Sequence, residues 1–417
     1  MDRNKNNNNM PKLRFPGFVG EWEEKKLGKI ANKINRRNRA LDVTRVLTNS
    51  ANAGVVDQNE YFDRDIAIKG NTDNYHIVEQ NEFVYNPRIS ATAPVGPISI
   101  NKIGRGIMSP LYTVFRFHSG HIPFFEQYFQ TTIWHPYLKN IANFGARFDR
   151  MNISTEGFFD MPIYLPSDIE EQRKMASCLS ALDDIIVTET NKLEALKAHK
   201  KGLMQQLFPQ PGENTPRLRF PGFSGEWEEK KMSDVFTRIT RKNAENNQNV
   251  LTTSAQYGLI SQLEFFKKSV AAADVTGYYL LKKGEFAYNK SSSQGRPFGA
   301  IKPLRLYDKG VVSTLYICFK CNDPREIDFW DQYFDAGLLD KELMSIAQEG
   351  ARNHGLLNIP TSGFFSLSVL SPSIDEQQKI ASCLMALDDI ILTETDKLEA
   401  LKAHKKGLMQ QLFPIYK

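Results

Sequence analysis

The hydrophobic and polar positions of this chain follow two rhythms. Short apolar runs rich in Val, Ile, Phe and Tyr, such as "NEFVYN", "GPISI", "LYTVFRF", "GEFAYN" and "LYICFK", are punctuated by Gly, Pro and Asn and predict strands closed by turns. Between them, "PFFEQYFQTTIWHPYLKNIA" and "IDFWDQYFDAGLLDKELMSIA" have helical spacing. From Ile169 the rhythm changes. No proline interrupts the chain until Pro209, and Met175, Leu179, Leu182, Ile186, Leu193, Leu196, Leu203 and Leu207 recur at three-, four- and seven-residue spacing. This predicts one amphipathic helix from about Ile169 to Leu207, ~39 residues and roughly 58 Å long, stopped at Phe208-Pro209.

The whole pattern then runs a second time. At an offset of 205 residues, 13 of 15 positions are identical between Leu13–Leu27 and Leu218–Met232, and 33 of 38 between Gln172–Pro209 and Gln377–Pro414. Between these blocks only landmarks survive, among them "LTNSANAG" against "LTTSAQYG", "FGAR" against "EGAR" and "STEGFF" against "PTSGFF". Two copies with so long a period are a domain duplication, since solenoid repeats run ~20–50 residues. The expected fold is mixed α/β (α+β): two similar globular domains and two long antiparallel helices related by a pseudo-twofold axis. The segments are a tail at 1–10, a first domain at 11–165, a helical segment at 166–209, a second domain at 210–370 opening with a linker at 210–217, and a helical segment at 371–417.

The apolar stripe of each long helix needs a cover. In the second copy it runs through Leu384, Leu387, Ile391, Leu398, Leu401 and Leu408. Either the two helices pair or each packs back on its own domain; persistence over more than four heptads favours the pair. Glu189 and Glu394 interrupt the stripe, as register-setting residues or as exposed ones.

Composition narrows the class. The 417 residues are 41% hydrophobic and 11% aromatic, enough for globular cores. No apolar run approaches the ~18 residues of a membrane span, the start "MDRNKNNNNM" lacks a secretory core, and four scattered cysteines suit a reducing compartment, so a cytoplasmic protein is expected. A net charge of +5 permits a polyanionic partner without demanding one.

Catalytic motifs are missing. There is no phosphate-binding loop ending in Gly-Lys-Ser/Thr, and "NPRI" (Asn86–Ile89) lacks the second proline and aromatic of an amino-methylating loop. Cys318-x-x-Cys321 has metal spacing but no second pair, which reads as a strand with two buried thiols; His118 and His121 have no companions, and His199 and His404 read as surface or interface residues. "EWEEKK" reads as a solvated charged face. What remains are matched polar clusters: "NRRNRA" with Arg36, Arg37 and Arg39 against "TRKNAENNQN" with Arg241 and Lys242; "YNPRISAT" with Asn86 and Arg88 against "YNKSSSQGR" with Asn289, Lys290, Gln294 and Arg296; "GARFDRMN" with Arg147 and Arg150 against "GARNHGLLN" with Arg352 and Asn353. Arg and Lys grip phosphates, Arg reads guanine, and Asn and Gln read adenine. Any one cluster reads as an ordinary hydrophilic loop; three at matched places in divergent sequence shift the balance to binding of a polyanion.

With "LRFPGFxGEWEEKKL" opening each half, "GFF" closing each divergent domain, and "EEQRKMASCLSALDDII" or "DEQQKIASCLMALDDII" leading into "KLEALKAHKKGLMQQLF", the chain resembles the DNA-specificity subunit of type I restriction-modification enzymes, which serve host defence. The resemblance implies that each middle is a target recognition domain reading half of a split double-stranded DNA site. It implies that the helices are spacers that dock two methyltransferase subunits, and that the chain is itself non-catalytic and without a cofactor of its own. S-adenosylmethionine, ATP and Mg²⁺ would then belong to the modification subunits and to motor-nuclease restriction subunits. Two rivals are a stand-alone bipartite DNA-binding regulator and a coiled-coil scaffold with no DNA role, which leaves the divergent domains unexplained.

Overall fold

The computed structural model describes residues 10–61, 72–143, 149–254, 257–266, 274–292, 295–347, 355 and 357–414. The chain forms two compact units. One holds the chain up to Thr188 together with the segment from Leu398 onward; the other is Glu189–Lys397. Each long helix runs as its periodicity predicts, Ile169–Leu207 and Ile374–Leu412, and each contributes one portion to each unit.

In the first unit a four-stranded antiparallel sheet has the order Ala31–Ile34, Thr113–Phe117, Phe83–Tyr85, Ile98–Ile100. Both of its faces are covered. Phe83, Tyr85, Phe115 and Phe117 face the main core with Trp22, Phe124, Tyr128 and Phe158, while Val84 and Val114 face a smaller cluster with Leu47, Val78 and Met108. That double burial is why "FVY" reads as a continuous apolar run and not as an alternating strand. Antiparallel ribbons flank the sheet: Leu47–Ser50 with Gly54–Asp57, and His76–Val78 with Gly106–Met108. A third joins Glu23–Lys26 to Pro162–Leu165. The "EWEEKK" stretch is therefore strand, with Trp22 buried beneath it and Glu23 and Glu24 at the surface. The helical stretch after the sheet is two helices, Ile122–Phe129 and His135–Ile141.

The second unit repeats this order of strands and main helices. Its sheet order is Phe236–Ile239, Ile317–Cys321, Phe286–Asn289, Ala300–Pro303, followed by helices Ile327–Asp335 and Asp340–Ile346. Cys318 faces the smaller cluster and Cys321 the main core, so the sheet itself separates the thiols, and burial pushes Cys318 up to about 12 and Cys321 higher. No group of three potential metal ligands exists among the described residues.

The stripe of each long helix turns out to serve both expected covers. Near its start the first helix packs Met175, Ala176 and Leu179 into the core of its own domain, as the second packs Ile380, Ala381 and Leu384. Farther along, the helices pair. In the second unit Lys192 reaches Glu394, Lys397 reaches Glu189 at 2.6 Å and Lys200 reaches Asp388 at 2.5 Å. Partner numbers fall on one helix as they rise on the other, so the pairing is antiparallel. Glu189 and Glu394 thus interrupt the stripe as cross-helix acceptors; the Lys192 ammonium holds the Glu394 carboxyl below its ordinary range. Leu193 and Leu398 are buried, whereas Leu182, Ile186, Leu196, Leu203, Leu387, Ile391, Leu401 and Leu408 are half-buried.

Each unit is closed by a helix end. In the second, the Leu218 amide donates to the Gln206 carbonyl at 2.9 Å and Phe208 packs on Trp227; in the first, the Leu13 amide donates to the Gln411 carbonyl at 2.9 Å and Phe413 packs on Trp22. Beside these closures Arg14 forks onto buried Glu171 at 2.6 and 2.7 Å, and Arg219 onto buried Glu376 at 2.7 Å for both bonds. The duplicated ends of the sequence are the parts that make these closures.

Candidate nucleic-acid interface

A presented loop follows the third strand of each sheet in the order given above, and its backbone is held the same way in both domains. Tyr85 stacks on Phe158 (4.9 Å, 20°) and donates its hydroxyl to the Val95 carbonyl at 3.0 Å; Tyr288 stacks on Phe364 (5.3 Å, 18°) and donates to the Phe298 carbonyl at 2.6 Å. The loop returns through a glycine with positive φ, Gly96 at 78° or Gly299 at 83°. A Cβ there would lie 2.0 Å from the Asn86 carbonyl oxygen or 2.1 Å from that of Asn289, so nothing larger fits.

Asn86 is buried within this frame. Its amide donates to the Asn49 carbonyl at 2.9 Å and its oxygen accepts from the Arg88 amide at 3.1 Å, so it fixes loops and does not point outward. Asn289 likewise accepts from the Ser291 amide at 3.1 Å. Beyond these asparagines the loop pairs with a second segment. The Met151 amide donates to the Pro87 carbonyl (2.9 Å) and the Ile89 amide to the Asp149 carbonyl (3.0 Å), which sets Arg88 opposite Arg150 in an antiparallel bridge. In the second domain Leu357 donates to Lys290 (2.9 Å) and Ser292 to Gly355 (2.7 Å). The backbone frame is the same, with Ser291 in the place of Arg88. Lys290 is half-buried, and that burial pulls its ammonium below the ordinary lysine range.

The remaining cations divide by what they touch. Arg36 pairs with fully buried Glu82, which also takes Arg116 at 3.2 Å; Arg241 pairs with Glu285 in the corresponding place. These guanidiniums neutralise buried carboxylates, a structural task that explains them without DNA. Arg37 donates to the Asn74 carbonyl at 2.5 Å beside His76. Lys242 donates to the Gly277 carbonyl at 2.8 Å and lies 4.3 Å over the ring of Tyr279. Arg296 forks onto Asp335 at 2.8 and 3.3 Å. Arg39 and Arg88 are exposed and make no side-chain hydrogen bond to another described residue, while Arg150 has a long 3.8 Å contact with Asp149. Arg147, Gln294, Arg352 and Asn353 lie outside the described residues.

Sequence reasoning missed a set of residues that ties each domain to its helices. Gln127 donates to Asp183 at 2.9 Å, and Asp183 also takes Lys405 at 2.5 Å; in the second unit Gln332 donates to Asp388 at 2.8 Å, and Asp388 takes Lys200. The signal was present, because Asp183 and Lys200 recur as Asp388 and Lys405 within the near-identical block.

Each of the two similar α/β domains thus holds a loop of basic or polar residues on the same backbone frame. Residues 20–198 match the model of the type I restriction modification DNA specificity domain. Over those residues, somewhat less than half of its length, the chain is similar to the DNA specificity domains of type I restriction-modification systems. Its fold is similar to that of the type I restriction-modification system S subunit from M. genitalium, at 12% identity and a TM-score of 0.60 over 98% of this chain and 100% of that one. It is also similar to a chain from a structure on complex assembly and conformational transition of a type I restriction-modification system, at 13% identity and a TM-score of 0.50 over 97% and 99%. No helix among the described residues is long and apolar enough to cross a membrane.

Proposed function

We propose that this chain is the sequence reader of a type I restriction-modification complex, with each domain reading one half of a split double-stranded DNA target. The observation that carries this is a frame kept in both domains, Tyr85/Gly96 and Tyr288/Gly299, holding loops whose side chains differ. One scaffold with two different readouts suits a target whose halves differ in sequence. The long helices dock two methyltransferase subunits. Ile185 and Val187 on the first helix and Ile390 and Leu392 on the second are exposed apolar side chains, which supports that role. The chain does no chemistry itself; S-adenosylmethionine is used by the modification partners, and ATP with Mg²⁺ by restriction subunits. The test is a methylome of cells carrying this chain with its modification partner, together with DNA titration of the complex at several salt concentrations. A bipartite adenine-methylation motif and steeply salt-dependent binding are expected. Absence of any motif that depends on this chain would overturn the reading, and tight specific binding by the chain alone would favour a stand-alone regulator.

A further inference from the structure

We propose that Arg88 and Arg150 of the first domain together read guanine in the major groove of one half-site, and that the bridge joining them is where the two domains diverge in specificity. This rests on the DNA-reading function above. The two arginines come from segments 62 positions apart and face each other across an antiparallel bridge. The flanking hydrogen bonds, Ile89 to Asp149 and Met151 to Pro87, make Arg88 and Arg150 a non-hydrogen-bonded pair, the kind whose side chains approach most closely and leave from the same face. Like charges directly opposite destabilise a strand pair. Among the described residues the counter-charge here is the long contact of Arg150 with exposed Asp149 at 3.8 Å, and Arg88 is exposed. Such a pair is stabilised by an acceptor-rich ligand shared between the guanidiniums.

The frame beneath the pair is rigid. Met151 is buried beside the Tyr85 hydroxyl, Pro87 fixes its own φ, and Asn86 holds the Arg88 amide. Arginines on a fixed backbone suit the paired acceptors of guanine, O6 and N7, which the guanidinium fork engages with two hydrogen bonds. Comparison with the second domain favours base over phosphate. A phosphate anchor is needed by both readers and would stay a cation in both; the second domain keeps the tyrosine, the glycine and the backbone bonds but has Ser291 where the first has Arg88. The frame is kept and the side chain changes, as base readout requires.

The experiment is methylome mapping and DNA binding with the complex of this chain and its modification partner, for the unaltered protein and for Arg88→Ser, Arg88→Lys and Arg150→Gln. Expected is a relaxed guanine position in one half-site with the other half unchanged, and a loss of about tenfold to a hundredfold in discrimination at that position. Arg88→Lys should keep most of the affinity yet lose the discrimination, since an ammonium has no two-pronged fork. Thermal melts matching the unaltered protein establish that the variants fold. An unchanged motif with uniformly weaker binding, rescued by Arg88→Lys, would assign the pair to phosphate and overturn the proposal, as would no effect in any variant. If the unaltered complex yields no motif at all, the DNA-reading function has failed and this assignment falls with it.

Discussion

Trp22, near the start of the chain, and Phe413, near its end, meet edge to face with ring centroids 6.2 Å apart and planes at 89°. Trp227 and Phe208 make the same contact at 6.1 Å and 85°. The first domain therefore takes from the far end of the chain the helix terminus that the second takes from just upstream. Phe413 is 1% exposed and also packs on Phe124 and Tyr128. Phe413→Ala should cost about 3–5 kcal/mol in the first unit. Hydrogen exchange should show protection lost around Phe83–Tyr85 and Thr113–Phe117 and kept in the second sheet, and Phe208→Ala should show the reverse. Equal loss in both units from either change would contradict the closure described.

The three-way contact of Gln127, Asp183 and Lys405 predicts coupling between groups far apart in sequence. Lys405 is 7% exposed, and its ammonium also donates to the Gln130 side chain at 2.7 Å, so truncating it leaves acceptors without their donor. Because Asp183 is itself about a third exposed, water softens the loss. Lys405→Ala and Asp183→Ala should each cost roughly 1–2 kcal/mol, with the double variant less destabilised than the sum by about 1 kcal/mol. A denaturation cycle measures this. Additive costs would mean the two side chains act separately.

Much of this architecture was legible in the sequence because periodicity is local. Ile169–Leu207 and Ile374–Leu412 begin and end where proline and the apolar stripe place them. The strands Phe83–Tyr85 and Phe286–Asn289 announce themselves as apolar runs. Pairing partners were not legible, since a strand such as Glu23–Lys26 says nothing of Pro162–Leu165. The candidate site suffered most from this. Arg36 and Arg88 are alike as letters, but one meets a carboxylate, Glu82, that folding buries, and the other meets water. Asn86 resembled an adenine reader for the same reason. A buried amide must satisfy its hydrogen bonds, and only the fold shows that the Asn49 carbonyl does so.

Acid should weaken the first unit before the second. His76 is 3% exposed, and burial, reinforced by Arg37 and Lys33, lowers its pKa to about 4; burial lowers His135 to about 4 as well, with help from Lys139. In the unfolded chain both titrate near 6.5. Between those values the unfolded state binds protons that the folded state does not, so their contribution is complete above about pH 6.5 and is lost as pH falls toward 4. His76 alone should account for on the order of 2 kcal/mol across that window. The second domain has Tyr279 opposite Lys242 where the first has His76 opposite Arg37. His76→Tyr should accordingly flatten the pH dependence of the first unit between 6.5 and 4, read by exchange protection in its sheet. An unchanged slope would place the acid sensitivity elsewhere.

The last prediction concerns the glycine that turns the loop between Tyr85 and Ile98. At Gly96 the backbone has a φ of 78°, and a Cβ would sit 2.0 Å from the Asn86 carbonyl oxygen, with the Arg88 carbonyl oxygen also within 3.3 Å. Both obstacles are backbone, so no side-chain rotation relieves them, and the segment carrying Asn86 must move. Gly96→Ala should therefore cost more than the ~1 kcal/mol of the backbone conformation alone, on the order of 2–4 kcal/mol. The damage should stay close by. Its first signs should be loss of the bond from the Tyr85 hydroxyl to the Val95 carbonyl and of the Asn86 amide bond to the Pro97 carbonyl, while the sheet edge at Ala31–Ile34 keeps its protection. Gly54→Ala is the control. Its φ of 67° carries similar backbone strain, but the nearest atoms to its Cβ, in the Ser99 side chain, are 3.7 Å away, so only the ~1 kcal/mol conformational part should appear. Equal costs at the two positions would show that strain, and not the approach to the Asn86 carbonyl, is what reserves Gly96 for glycine.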